Sequence, residues 1–124
     1  QGSDELFAGY SFFKAHLKEK GFLGVEEEIW SNLLDIWSKN LFRDDIISMR
    51  HSLELRVPFL DTVFLRHAMS FPASKKILSH TDELRKHPVR KMAELSYVPS
   101  LAFNRPKKAM QYGSGFAREV AKLV

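Results

Sequence analysis

Apolar residues recur at helical spacing in five or six stretches of this chain, and no stretch reads as a convincing strand. Leu6, Phe7, Tyr10, Phe13 and Leu17 predict a helix over Asp4 to Lys18, with Ser3 or Asp4 placed to cap it. Gly21 and Gly24 punctuate a short turn. A second helix follows from Glu26, carrying Ile29, Trp30, Leu33, Leu34, Trp37 and Leu41 on one face. Its opening Glu26-Glu27-Glu28 suits the positive end of a helix dipole. Asp44 to Leu53 reads as a third helix, ending before Pro58. Asp61 caps a fourth, which carries Phe64, Leu65, Ala68 and Met69 and stops ahead of Pro72. Asp82 to Leu95 is helical in pattern, with Pro88 either in its first turn or interrupting it. After Gly115 a tail closes with Ala117, Val120, Ala121 and Val124 on one face. The expected fold is therefore mainly α, a bundle of short helices.

Composition excludes several classes of function. With no cysteine among 124 residues, a disulfide framework, a Cys-based zinc site and a Cys nucleophile are all ruled out. No apolar run reaches the roughly 18–20 residues of a membrane span. The first residues are acidic and polar, so no signal peptide is read there. Charge is unevenly spread: residues 1–74 carry 8 basic and 11 acidic groups, residues 75–124 carry 11 and 4. That asymmetry fits either an anion site in the C-terminal part or a solvated basic face.

Four stretches could carry chemistry. Gly2-Ser3-Asp4-Glu5 stands immediately before an apolar helix, where small residues let backbone N–H groups approach an anion and a carboxylate can hold Mg²⁺. Arg43-Asp44-Asp45 with Glu54-Leu55-Arg56-Val57-Pro58-Phe59-Leu60-Asp61 alternates carboxylates and arginines; Glu54, Arg56 and Asp61 are read as fixing the turn between two helices. Lys86 and Arg90, four apart, fall on one helix face. Arg105-Pro106-Lys107-Lys108, followed by Gly113-Ser114-Gly115, has the makings of a phosphate clamp. The five histidines show no metal-ligand spacing, and His16 and His67 read as structural.

In order and spacing these stretches resemble the C-terminal part of the synthetase domain of the glutamine-dependent asparagine synthetases. The matching runs are Gly2 to Tyr10, Asn40 to Asp45, Ser48-Met49, His51 to Asp61, Lys86 with Arg90, and Arg105 to Gly115. The resemblance spans nearly the whole chain. It implies the C-terminal helical portion of an α/β adenine-nucleotide-hydrolase-like (PP-loop ATP pyrophosphatase) domain, residues 1–124 forming one segment of it. In that family ATP and Mg²⁺ serve to adenylate the side-chain carboxylate of aspartate, and ammonia from glutamine then displaces AMP. The resemblance assigns Mg²⁺ with pyrophosphate to Asp4, the adjoining backbone to Gly2 and Ser3, and phosphate contact during adenylation to Lys107. Arg105 and Lys86 become supporting phosphate contacts.

Two residues depart from the family pattern. Gln1 stands where members commonly carry a glutamate that assists ammonia attack, and an amide cannot act as a base. Asn40 stands where many carry aspartate, although some asparagine synthetase domain-containing homologues share Asn40-Leu41-x-Arg43-Asp44-Asp45. The Ser-Gly-Gly-x-Asp-Ser loop and the glutaminase cysteine of the family are not in this sequence. The expected partners are therefore the upstream α/β half and the glutaminase domain, with a homodimer left open, in a cytoplasmic setting without membrane or nucleic acid. Two alternatives stay open: a non-catalytic synthetase-like domain used in assembly or regulation, and a basic helical module that binds anions or RNA.

Overall fold

The structure, a computed structural model, describes residues 1–123; Val124, expected on the apolar face of the tail, lies outside them. Helices α1 (Ser3–Leu6), α2 (Phe12–Leu34), α3 (Phe42–Arg50), α4 (Thr62–Ser70), α5 (Ala73–Lys76), α6 (His87–Leu95), α7 (Ser100–Phe103), α8 (Met110–Gly113) and α9 (Phe116–Val120) follow one another. A π-helical turn, Trp37–Leu41, joins α2 to α3, and a 3₁₀ turn, Pro58–Leu60, precedes α4. There is no strand among the described residues. The mainly α expectation holds.

The N-terminal helix departs most from its periodic reading. It ends at Leu6 and resumes only at Phe12, with Ala8 in the left-handed region (φ 53°). Packing is the reason. Glu5 to Gly9 form an unbroken buried run between two apolar clusters. Ala8 packs with Phe13, Val25, Ile29, Ala73 and Ile77. Leu6 and Phe7 pack instead with Ala68, Phe59, Phe64 and Val89. A straight helix cannot point consecutive residues into two clusters on different sides, so the chain turns between them. Fully burying Phe13 or Ile29 contributes about 1.5–3 kcal/mol each, enough to override a local preference.

Other boundaries shift for local reasons. Gly2 (φ 92°) occupies the cap position of α1, and neither Ser3 nor Asp4 makes a side-chain cap. Gly21 alone breaks α2 (φ 69°, ψ −165°), while Gly24 stays helical and packs on Lys20. Glu26 accepts the Ala73 N–H (3.1 Å), tying α2 to α5 instead of opening a helix. Helix α3 runs from Phe42 to Arg50, two residues earlier than expected at its start. Asp61 caps α4 as its sequence context requires, accepting the N–H groups of Val63 (2.9 Å) and Phe64 (3.1 Å). Helix α6 begins at His87, with Pro88 in its first turn, and Asp82–Lys86 is a turn outside it.

The apolar face expected along α2 is only partly covered. Ile29 is buried, but Trp30, Leu34 and Trp37 are half exposed or more, as are Phe42, Ile46 and Ile47 on the following elements.

Candidate functional site

The α1 turn is held in place from several sides, and that fixes the Asp4 carboxylate. From below, Gly9 donates its N–H to the Asp4 carbonyl (2.7 Å). A Cβ on Gly9 would stand 2.0 Å from Asp4 Oδ1 and 2.3 Å from Lys86 Cε, so only glycine fits. Beside the turn, the Pro58–Leu60 segment closes on Gly2, where a Cβ would meet Leu60 Cδ2 at 2.7 Å. The Val57-Pro58-Phe59-Leu60-Asp61 run is therefore architectural through its apolar residues and its cap. Glu54 and Arg56 pair with each other (2.7 Å) at the exposed surface and lock no elements together, which corrects the reading of them as fixing the turn between two helices.

Into this turn the second half of the chain sends two cations. Lys86 Nζ donates to Ser3 Oγ (3.1 Å) and lies 2.9 Å from Asp4 Oδ1. Lys107 Nζ lies 3.4 Å from the same oxygen. Yet Asp4 Oδ1, a buried atom, makes no well-directed hydrogen bond with either. Such an atom is a hard oxygen donor, held to both ammonium groups by charge. No group of three or more ligating side chains gathers among the described residues, so Asp4 would supply a single oxygen. That fits Mg²⁺, which is usually bound through one or two carboxylates together with phosphate oxygens and water.

The electrostatics are coupled. Burial lowers the pKa of Lys86 below the usual lysine value, the Asp4 carboxylate opposes that shift, and Lys107 adds to it. Two cations thus meet at one carboxylate, and Glu5 also acts on Lys86.

Lys86 reaches the site from an unexpected backbone. It sits in the left-handed region (φ 52°) immediately before α6, as does Arg85 (φ 48°), so Lys86 and Arg90 do not share a helix face. Such conformations cost about 1–3 kcal/mol each and persist only where surroundings impose them. Asp82 does so here: Oδ1 accepts the N–H groups of Leu84 (2.9 Å) and Arg85 (3.1 Å), while Oδ2 accepts the Leu78 N–H (3.0 Å) and meets His87 Nε2 (2.7 Å). Burial alone would raise the Asp82 pKa, but the backbone N–H groups of Leu78 and Arg85, with His87, outweigh it and hold it at about 2. Buried Arg85 then donates from Nε to the Gly9 carbonyl (3.1 Å), joining this turn to the floor beneath Asp4.

Arg90 proves to be a strut. Its Nε donates to the Leu84 (3.1 Å) and Arg85 (2.7 Å) carbonyls, and Nη1 to the carbonyls of Phe103 and Arg105 (2.9 Å to the latter). With the Lys107 N–H donating to the Glu83 carbonyl (3.2 Å), it hangs the Arg105–Lys108 loop on the Asp82 turn. The Arg105 side chain is exposed and lines a cavity of about 490 Å³ together with Lys86, Lys107 and Lys108, over a floor that includes Val89 and Phe103. Arg105 thus borders the site but makes no contact with Asp4.

Gln1 lies apart from the lysines. Its amide donates to Asp44 Oδ2, whose partner oxygen accepts from Arg43 Nε (2.9 Å). Asn40 donates to Glu5 Oε1 (3.3 Å), which also accepts the Tyr10 hydroxyl (2.7 Å). Burial, then Glu5, pushes the Tyr10 pKa up.

The basic surplus of residues 75–124 is not one solvated face, because Lys76, Arg85, Lys86 and Arg90 all turn inward. Residues 20–124 match the asparagine synthase family model. The chain belongs to the asparagine synthase family. It is 38% identical to the glutamine-hydrolysing asparagine synthetase of Rattus norvegicus over 115 residues, 91% of this chain and 19% of that protein. It is 34% identical to asparagine synthetase domain-containing protein 1 of Mus musculus, across 94% of this chain and 19% of that protein. A Methanocaldococcus jannaschii protein assigned as asparagine synthetase 1 is 32% identical across 99% of this chain and 28% of its own length. The chain thus spans under a third of these relatives. No solved structure gives a significant match. No described helix is long and apolar enough to cross a membrane.

Proposed function

We propose that this segment supplies the Mg²⁺–pyrophosphate side of an ATP-dependent asparagine synthetase, a carbon–nitrogen ligase. The observation that carries this is the convergence of Lys86 (2.9 Å) and Lys107 (3.4 Å) on Asp4 Oδ1, an oxygen without a well-directed hydrogen bond. Asp4 would hold Mg²⁺, with Gly2 and Ser3 as the adjoining backbone and hydroxyl. An ion held there would supply positive charge beside the pyrophosphate that leaves. Lys107 and Lys86 stand ready on the same carboxylate, so they act on the pyrophosphate charge without reorganising. Arg105, which lines the larger cavity with Lys86 and Lys107, would serve as a supporting phosphate contact.

In the reaction so served, a side-chain carboxylate oxygen of aspartate attacks the α-phosphorus of ATP and pyrophosphate leaves. Ammonia derived from glutamine then attacks the acyl carbon and AMP leaves. Gln1 cannot remove a proton from ammonia; its role is positional, through Asp44. The aspartate, adenine and glutamine sites belong to the remainder of a cytoplasmic synthetase, and the segment is inactive without it. The half-exposed Trp37 and Phe42 supply an apolar face for that remainder, in keeping with the segment's 19–28% share of its relatives.

The test is aspartate-dependent pyrophosphate release from ATP, with this chain joined to the upstream α/β half. Release that needs Asp4 and Lys107 supports the reading; full release with Lys107→Ala overturns it.

A second reading rests on Gln1. Because its amide binds Asp44 in place of a base, a non-catalytic synthetase-like domain also fits. A protein that binds Mg²⁺–pyrophosphate yet releases none from ATP in the joined form would select that reading.

A further inference from the structure

A second cavity, of about 260 Å³, lies between α2 and the α4–α5 connection and shares no residue with the Asp4 site. Glu26, Ile29, Trp30, Met69, Phe71 and Lys76 are among the residues that line it. Its walls are mixed: Trp30, Met69, Phe71 and Pro72 are apolar, Ser70 is polar, and Glu26 and Lys76 bring opposite charges.

The cation lacks an oxygen partner. Lys76 is 1% exposed, and the only hydrogen-bonding neighbour of its Nζ among the described residues is Met69 Sδ, at 4.0 Å. A thioether is a weak acceptor, so the ammonium lies buried with its protons unsatisfied, an arrangement that is costly unless something pairs with it. Burial lowers the Lys76 pKa to about 8, against the opposing pull of Glu26.

The anion is half used. Glu26 Oε1 accepts the Ala73 N–H (3.1 Å), while Oε2 makes no hydrogen bond among the described residues. A purely anionic ligand would satisfy Lys76 but face Glu26, and a purely cationic one would face Lys76. A molecule carrying a carboxylate and an ammonium on one carbon meets both. Ile29, Trp30 and Phe71 leave an apolar wall for a third substituent. The volume falls just below the roughly 300 Å³ at which drug-sized pockets begin, and so suits one small metabolite.

We propose that this cavity binds a free α-amino acid with an apolar side chain, its carboxylate on Lys76 and its ammonium on Glu26. Occupancy bridges α2 to α5 and satisfies both charges at once. The proposal does not depend on the ligase reading, since the two sites share no residue.

The experiment is calorimetric titration of the intact protein with L-phenylalanine and L-leucine, beside 3-phenylpropionate and phenethylamine, which each keep one charge. The expected result is saturable binding of an amino acid, at least tenfold tighter than either single-charge analogue. Lys76→Met and Glu26→Gln should each weaken it tenfold or more. Glu26→Gln keeps an acceptor for Ala73, so circular dichroism should show its fold unchanged even if Lys76→Met fails to fold. No saturable binding up to about 10 mM overturns the proposal. So does equal binding of a single-charge analogue, or unchanged affinity in Glu26→Gln.

Discussion

The two sides of the Asp4 site are held by different means. The carboxylate side is a four-residue turn set between two apolar clusters, with Leu6 and Ala8 wholly buried and glycine required beneath it. The cation side is a pair of surface segments, the Asp82 turn and the Arg105–Lys108 loop, hung on polar contacts through Asp82, Arg85 and Arg90. Packing fixes the acid and hydrogen bonds fix the bases. The acid is therefore set by packing, while the lysines depend on charged and hydrogen-bonded contacts that pH can change.

That contrast can be broken chemically, and the largest effect should come from the acid. Asp4→Asn removes the negative charge on which both lysines converge; pyrophosphate release in the joined protein should fall about 10²–10³-fold, the range seen when one preorganised group is removed. Lys107→Ala should cost less, about 10²-fold in kcat/KM, because Lys86 remains on Asp4. Equal losses for the two variants would show that the acid and the loop do not differ as described.

Stability should sharpen the contrast further. Gly9→Ala forces a Cβ onto Asp4 and Lys86 and should destabilise the protein by about 1–3 kcal/mol in urea unfolding. Asp82→Asn should cost about 2 kcal/mol, and the pH dependence follows from the same group. Its folded pKa, about 2, lies below the unfolded value near 3.9, so its contribution is present above pH 4 and is lost as pH falls toward 2. Wild-type unfolding free energy should drop across that window by about 2 kcal/mol more than that of Asp82→Asn. Arg56→Ala should change stability by less than about 0.5 kcal/mol, since its pair with Glu54 is exposed.

What the sequence made legible follows the same division. The Asp61 cap was readable because a cap is settled within three residues. Gly2, Ser3, Asp4 and Lys107 stood out by motif, and the structure brings Ser3, Asp4 and Lys107 together with Lys86. The break after Leu6 was not readable, because the period of Leu6, Phe7, Tyr10 and Phe13 is helical and only the split between two clusters interrupts it. The i, i+4 spacing of Lys86 and Arg90 misled for a related reason: the Asp82 hydrogen bonds hold Lys86 out of the helix. Glu5, Gly9 and Arg85 went unread because their partners, Asn40 and Tyr10, Asp4, and the Gly9 carbonyl, are set by tertiary packing. Glu5 closes the Gly2-Ser3-Asp4-Glu5 stretch and Gly9 falls within the Gly2 to Tyr10 match, but no role was read for either; Arg85 adjoins Lys86.

Asp4, Lys86 and Lys107 form one electrostatic unit. Its most direct test is the titration of the Lys86 ammonium, followed by nitrogen-15 NMR in the wild type, Asp4→Asn and Lys107→Ala. Losing the carboxylate should lower the Lys86 pKa further, and losing the second cation should raise it. A Lys86 pKa that moves in neither variant would contradict the account.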